Sequence, residues 1–148
     1  MRRGIVAAIV FAGLFILVEA LNSTGLLPSL AAYISQFAKA SPGVAAWVSG
    51  TSFALASNLA NNLPVGLIAA TVNHAAHLPE VVTGAILIGV DLGPNLSITG
   101  SLATVLWLIA LRREGENVSA GQFLQVGIIV MPPALIASIG ALLLMASP

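Results

Sequence analysis

Residues 81–111 read VVTGAILIGVDLGPNLSITGSLATVLWLIAL, a span-length apolar stretch with Asp91, Gly93, Pro94 and Asn95 near its middle. Proline lacks an amide donor and its ring clashes with the preceding helical turn, so this position interrupts a helix. Non-helical backbone at membrane depth persists only where protein or a water-filled cavity satisfies its polar groups. The stretch therefore predicts a broken transmembrane helix with its break at Gly93 and Pro94.

The composition of the whole chain is that of a membrane protein. Hydrophobic residues make up 58% of the 148 residues, charged residues 7%, and the mean hydropathy is +1.04, whereas soluble domains carry roughly 25% charged residues. The net charge is zero, which excludes the electrostatic footprint of a nucleic-acid-binding protein. The absence of cysteine excludes disulfides and thiolate metal sites. We therefore predict an all-α integral membrane protein embedded in the lipid bilayer.

Three further segments are helical by the same reasoning. Residues 4–21 predict a retained transmembrane helix, since no small-residue cleavage site closes the apolar run. Residues 26–40 are too short and polar to span and predict an interfacial helix. Residues 122–146 predict a last transmembrane helix that its two central prolines kink. Close packing between helices is predicted at three glycines, Gly84, Gly89 and Gly100.

Residues 43–73 carry two short apolar arms separated by the polar sequence SNLANNLP at 57–64. This pattern predicts a re-entrant helical hairpin, and one long kinked helix is the alternative. The hairpin agrees with the positive-inside rule, because it places both the N-terminus and the loop Arg112–Asn117 in the cytoplasm. The chain, residues 1–148, is then a single membrane-embedded domain with one transporter repeat.

Asp91 is the strongest candidate functional residue, since an acidic side chain at the centre of a membrane helix costs about 2.5 to 3.5 kcal/mol. It either faces a cavity, where it binds an ion, a proton or the substrate, or caps the second half-helix, which we expect to begin near Ile98. Asn95 belongs to the same interruption. Ser97 and Ser101 would share a face of that half-helix by their i, i+4 spacing.

The hairpin tip is the second candidate site. Its amides are expensive in lipid unless each finds a hydrogen-bond partner, and they suit a neutral hydrogen-bonding substrate or a weakly held cation. The alternative is that they bond neighbouring helices as structural polar contacts. The candidate substrate- or ion-binding residues of the tip and the interruption are Ser57, Asn58, Asn61, Asn62, Asp91, Asn95, Ser97 and Thr99.

The sequence contains no motif that indicates an enzyme or a cofactor. A nucleotide-binding glycine loop, an HExxH zinc motif and a nucleophile-elbow serine are all missing. His74 and His77 have a metal-like spacing, but Glu80 is the sole third ligand nearby in the sequence. No metal site and no catalytic residue are therefore predicted.

Three motifs closely resemble the C-terminal part of bacterial arsenite/antimonite efflux permeases, the membrane subunit of the arsenical pump. They are SNLANNLP at 57–64, GVDLGPNLSITGSLATVLWLIALRREG at 89–115 and QFLQVGIIVMPPAL at 122–135. More distantly, the tip and the broken helix resemble the second repeat of the ion transporter superfamily, in which two inverted repeats build one central site. The resemblance implies an inner-membrane exporter of trivalent arsenic or antimony, either an antiporter driven by the proton gradient or a partner of a cytoplasmic ATPase.

Such permeases are considerably longer, so the resemblance implies that an N-terminal half lies on another chain, that the chain oligomerises, or that it is a truncated product. Two other functions stay open. One is a sodium- or proton-coupled carrier of another small anion. The other is a non-transporting fragment or an assembly subunit that docks an ATPase through Arg112–Asn117. The resemblance assigns the tip contribution to Ser57, Asn58, Asn61 and Asn62, and the broken-helix contribution to Asp91, Pro94, Asn95, Ser97 and Thr99.

Overall fold

The computed structural model describes residues 2–146, with side chains at Ile9 and from Ala12 onward. These residues form seven α-helices and no strand, which confirms the predicted all-α class for the described part of the chain. The helices are α1 (Arg2–Ser23), α2 (Leu26–Ala40), α3 (Pro42–Ala60), α4 (Asn62–Ala76), α5 (Glu80–Leu92), α6 (Leu102–Arg113) and α7 (Ala120–Ala146). A 3-10 turn, Gly93–Leu96, follows α5 directly.

The helices α3 and α5 form the central pair of the bundle, and glycines let their backbones touch. Gly89 of α5 lies against the carbonyl group of Gly50 in α3, and Gly93 lies against that of Ala54. A Cβ atom at Gly89 or Gly93 would collide with a main-chain oxygen, so a larger residue does not fit without moving α3. The helices α2 and α4 pack against each other and against α3, and α7 packs against α5, with Ile139 fully buried.

The prediction of close packing at three glycines is confirmed at two of them and takes another form at the third. Gly89 contacts α3, and a Cβ atom at Gly84 would lie 3.0 Å from the Leu142 side chain of α7. Gly100 lies outside the helices and packs on Pro94, whose carbonyl oxygen would be 2.7 Å from an added Cβ atom. Gly100 therefore allows a close contact within the segment between α5 and α6, and not a contact between two helices.

A sharp bend of 70° separates the end of α1 from α2. Gly25 lies in this bend with φ of 80°, a left-handed conformation that glycine adopts without steric cost. The hydroxyl of Ser29 donates to the Gly25 carbonyl at 2.7 Å and closes the first turn of α2. One face of α2 is buried, and it consists of Leu27, Ala31, Ile34 and Ala38.

The described helices differ in whether they could cross a membrane. The 27-residue helix α7 is long and apolar enough by itself, and it continues through both Pro132 and Pro133. Ala12–Ser23 and α2 meet the same criterion only when they are taken together as one bent span. Met1 and the side chains of Arg2 and Arg3, on which the predicted orientation depends, lie outside the described residues.

The outer surface of the bundle is strongly apolar. Leu59 is 83% exposed, Ile129 72% and Ile16 70%, and large side chains like these are exposed on most of the helices. Soluble monomers rarely expose contiguous apolar patches larger than a few hundred Å². The surface is consistent with a protein whose solvent is lipid.

Candidate functional site

The polypeptide leaves helical geometry at the end of α5. The 3-10 turn Gly93–Leu96 is followed by extended backbone at Ser97, with φ of −140° and ψ of 162°. The side-chain amide of Asn95 donates to the carbonyl oxygens of Asp91 at 3.3 Å and Leu92 at 3.1 Å. Asn95 therefore satisfies carbonyl groups that the end of a helix leaves without an intrahelical partner.

The helix that follows the interruption, α6, begins later than the sequence predicts. The hydroxyl of Ser101 accepts a hydrogen bond from the amide of Ala103 at 3.1 Å and caps α6, so the expected start near Ile98 is wrong. The cap is Ser101 and not Asp91, because Asp91 lies in the last turn of α5. Ser97 has extended backbone and precedes α6, so the prediction that it shares a helical face with Ser101 is wrong.

A single residue, Asn61, joins α3 to α4. Its φ of 72° and ψ of 144° lie in a region that residues other than glycine rarely occupy. Its side-chain oxygen accepts from the amide of Leu63 at 3.2 Å and caps α4. Asparagine tolerates positive φ better than most residues, and the structure divides residues 43–73 into two helices at this position.

Asn61→Val is expected to destabilise the fold, whereas Asn61→Gly is expected to preserve it. Valine is branched at Cβ and its side chain cannot cap α4, so we expect the free energy of unfolding to fall by roughly 2 to 4 kcal/mol. Glycine adopts positive φ freely and is an accepted N-cap residue, so the free energy of unfolding of this variant should stay within about 1 kcal/mol of that of the parent. Thermal unfolding of the purified variants measures both, and equal stabilities would contradict the assigned backbone conformation.

The two polar motifs meet in a group that we call the polar junction, formed by the side chains of Asn58, Ser97 and Thr99. Ser97 Oγ donates to Asn58 Oδ1 at 2.7 Å and lies 3.0 Å from Thr99 Oγ1. A serine hydroxyl carries one hydrogen, so Thr99 is the donor in the second bond. Beside the junction, the backbone amide of Asn62 donates to the carbonyl of Gly100 at 3.0 Å. Side chains 39 positions apart therefore bind each other, one from the end of α3 and the other from the segment between α5 and α6.

The polar junction retains free hydrogen-bonding groups. Within the described residues, Asn58 Nδ2 has no acceptor and Thr99 Oγ1 accepts from no donor. Thr99 is exposed and Asn58 is half-buried, so a ligand can reach both. The neighbouring Ser57 is fully buried, and its Oγ has no partner in the part of the chain that the structure describes. The end of α3 therefore holds an unused hydroxyl beside the junction.

The remaining predicted residues lie in cavities outside the junction. Asp91 and Asn62 line a cavity of about 510 Å³ bounded by α1, α4 and α5. Asn95 lines a separate cavity of about 540 Å³ together with Trp107 and Phe123. The ring centroids of Trp107 and Phe123 are 6.5 Å apart in an edge-on arrangement. Asp91 and Asn95 therefore line two different cavities, although they are only four residues apart.

The sequence reasoning missed two features of this region. Thr83 Oγ1 donates to Asn73 Oδ1 at 2.7 Å and joins α4 to α5 away from the junction. Trp107 of α6 and Phe123 of α7 form an aromatic wall of the cavity beside Asn95. The partners in each pair are separated by a turn or loop, and no local pattern indicates that they face each other.

His74 and His77 lie at the C-terminal end of α4, whereas the polar junction lies beside its N-terminal end. The ring centroids of His74 and His77 are 6.4 Å apart. Among the residues with described side chains, no group of three or more His, Cys, Asp or Glu is placed to hold a metal ion.

Comparison with known proteins gives a result that agrees with the motifs. The model of the arsenical pump membrane protein family matches residues 3–145. The arsenical pump membrane protein of Yersinia enterocolitica is 34% identical over 138 residues, which cover 89% of this chain and 32% of that protein. That of Escherichia coli strain K12 is 33% identical with the same coverage. The putative arsenical pump membrane protein of Bacillus subtilis is 30% identical over 123 residues, covering 80% of this chain and 28% of that protein.

This chain spans about a third of the length of the curated relatives that it matches. No solved structure matches it significantly. The family match nevertheless extends over nearly the whole chain and includes the polar junction, Asn61 and the segment between α5 and α6. The resemblance is thereby confirmed, and the chain belongs to the arsenical pump membrane protein family.

Proposed function

We propose that the chain forms one half of the substrate site of a membrane transporter that exports trivalent arsenic and antimony, as arsenite and antimonite. The observation that carries this proposal is the polar junction, where the end of α3 is hydrogen-bonded to the segment between α5 and α6. Secondary transporters typically bind their substrates near the bilayer midplane, between interrupted helices whose freed polar groups contact the ligand. The family of the chain supplies the substrate class.

The chemistry of the polar junction suits such a substrate. Trivalent arsenic at neutral pH is mostly the uncharged trihydroxide, whose hydroxyl groups both donate and accept hydrogen bonds. Asn58 Nδ2 can donate and Thr99 Oγ1 can accept, and no charged side chain belongs to the junction. The chain contains no cysteine, so these residues would hold the substrate by hydrogen bonds, and its release breaks no arsenic–sulfur bond.

We further propose that α3 and α4 form a re-entrant hairpin and that α5 and α6 are the halves of a broken transmembrane helix. The 15 residues of α4 give a length of about 22 Å, shorter than a hydrocarbon core of about 30 Å. The 19 residues of α3 give about 28 Å, so α3 would have to start near the membrane surface. The N-terminus and the loop Arg112–Asn117 then lie on the cytoplasmic side of a bacterial inner membrane.

The second half of the site would come from another permease segment or from a second copy of this chain, as a transporter site built from two repeats requires. The energy would come from the proton gradient, in an antiport mechanism, or from a cytoplasmic ATPase docked at Arg112–Asn117. A collapsed proton gradient should stop export in the first case. Deletion of the ATPase should stop it in the second.

Efflux from arsenite-sensitive cells tests the function. Cells that express the chain together with the remaining permease segment of a relative are expected to retain less arsenic and less antimony than cells with either part alone. Sodium-driven uptake of a dicarboxylate serves as the control for an anion carrier of another class. Equal arsenic contents in all strains, with both parts detected in the membrane, would overturn the proposal.

A further inference from the structure

A cleft between α6 and α7, which we call the α6 cleft, lies apart from the polar junction. It consists of two cavities of about 540 and 370 Å³, which share Asn95, Trp107 and Phe123 in their linings. Of the twelve residues of α6, Leu108 is the one that is buried, so α6 packs loosely on the rest of the bundle. Ligand pockets in proteins typically measure about 300 to 1,000 Å³. The α6 cleft therefore has the size of a site for a small organic molecule.

The walls of the α6 cleft are apolar and partly aromatic. Trp107 is 51% exposed, and its ring meets that of Phe123 edge-on, with the two centroids 6.5 Å apart. Val126 and Val130 of α7 continue the wall beyond Phe123. Aromatic rings favour offset or edge-to-face contacts with further rings, and half of the indole is open to such a contact. The wall therefore favours a ligand with an aromatic ring.

The side chain of Asn95 gives the α6 cleft a hydrogen-bond acceptor of fixed orientation. Its Nδ2 donates to the carbonyl oxygens of Asp91 and Leu92, and these bonds determine which way the amide is turned, because a carbonyl group can only accept. Its Oδ1 has no donor among the described residues. An unpaired polar atom in apolar surroundings is unfavourable. The cleft therefore favours a ligand that donates a hydrogen bond to this oxygen.

The remaining polar side chains of the α6 cleft indicate that the ligand is uncharged. They include Asn117 and Gln122 at the end of the cleft near the loop before α7. The Oε1 atom of Gln122 already accepts from the backbone amide of Ser119 at 2.9 Å. Among the described residues, no charged side chain lines either cavity, so an ionic ligand would lose its hydration without gaining a counter-charge.

We propose that the α6 cleft binds an uncharged aromatic compound with a hydroxyl or N–H donor, its ring against Trp107 and Phe123 and its donor on Asn95 Oδ1. A lipid chain also suits the apolar wall, but it has no donor and leaves the oxygen unpaired. The site does not depend on the proposed arsenite transport, because no residue of the polar junction lines the cleft. The bound compound touches α6, α7 and the 3-10 turn that follows α5.

Quenching of tryptophan fluorescence in the purified full chain tests this site without requiring transport. The chain has two tryptophans, Trp47 and Trp107. Trp47→Phe leaves Trp107 as the reporter, and Trp107→Phe leaves Trp47 on α3 as the measure of how much compound enters the detergent micelle. The probes are para-bromophenylphenol, a biphenyl whose bromine quenches indole fluorescence on contact, and its methyl ether, which lacks the donor.

We expect the phenol to quench Trp107 saturably, at a half-saturating concentration about three- to tenfold lower than that of the ether. The ether is the more apolar compound, so partitioning into the micelle alone would give the opposite order. Equal half-saturation by the two compounds would overturn the proposal in favour of an apolar occupant such as a lipid chain. Equal, unsaturated quenching of Trp47 and Trp107 would show that the compounds only dissolve in the micelle, and would also overturn it.

Paired substitutions on α7 locate the quenching within the bundle. Val130→Phe fills the α6 cleft and should abolish the saturable quenching of Trp107, whereas Ile129→Phe, at the adjacent position outside the lining, should leave it unchanged. Asn95→Leu removes the acceptor and should abolish the preference for the phenol. Val130→Phe leaves the hydrogen bonds of Asn95 intact, so it keeps the site testable even where Asn95→Leu does not fold. Saturable quenching that persists in Val130→Phe would contradict the assigned cleft.

Discussion

Gly93→Ala is expected to prevent the chain from folding into its native bundle. The added methyl group would collide with the carbonyl oxygen of Ala54, and Gly89→Ala would meet that of Gly50 in the same way. Both obstacles are main-chain atoms of α3, so no side-chain rotation relieves them. We expect the free energy of unfolding of each variant to fall by at least about 3 kcal/mol, which is the upper end of the cost of overpacking a core. The yield of monodisperse protein and its thermal unfolding in detergent measure the effect.

Gly140→Ala is the matched control for these variants. Gly140 lies within α7, and nothing comes within 4 Å of the position that its Cβ atom would occupy. Alanine is favoured over glycine inside a helix by about 1 kcal/mol, so this variant should be as stable as the parent or slightly more stable. Equal unfolding temperatures of Gly93→Ala and Gly140→Ala would contradict the close contact between Gly93 and α3.

Asn58→Ala is expected to reduce arsenite efflux ten- to a hundredfold. It removes the acceptor of the 2.7 Å bond from Ser97 and the free amide that would donate to the substrate. The loss of two hydrogen bonds at about 0.7 to 1.4 kcal/mol each gives this range. Ser97→Ala should act in the same direction, because it disconnects both Asn58 and Thr99. Efflux from loaded cells, normalised to the amount of protein in the membrane, measures the change.

Asn73→Ala separates the role of the polar junction from that of any interhelical hydrogen bond. The bond from Thr83 to Asn73 also joins a hydroxyl to an amide oxygen at 2.7 Å, but it ties α4 to α5 away from the interruption. Its loss should lower stability by about 1 kcal/mol and leave efflux per folded molecule within about twofold, a difference below 0.5 kcal/mol. Equal efflux defects in Asn58→Ala and Asn73→Ala would show that the junction is a structural contact.

The elements of the fold follow largely from local features of the sequence. Apolar composition predicts helices, and Pro94 predicts where α5 stops, because proline removes a helical hydrogen bond. The same rule does not hold for Pro132 and Pro133, which lie inside α7 without ending it. The break between α3 and α4 falls at Asn61, inside the polar sequence 57–64 that marked the tip. The predicted start of α6 near Ile98 is wrong, because the sequence does not distinguish a hydroxyl that caps a helix from one inside it. Three hydroxyl residues, Ser97, Thr99 and Ser101, are possible caps here, and the structure uses Ser101.

By itself, the sequence determined that this is a helical membrane protein of the arsenical pump family and which polar residues are placed at its helix breaks. Which of those residues meet was decided only by the tertiary structure. The contact of Gly89 and Gly93 with α3 fixes how α5 is rotated. The tighter 3-10 winding then turns Asn95 off the face that residues four apart share in an α-helix. Asp91 therefore lines the cavity bounded by α1, α4 and α5, Asn95 lines another, and Ser97 reaches Asn58. Packing between helices sets these rotations, and no local pattern specifies them.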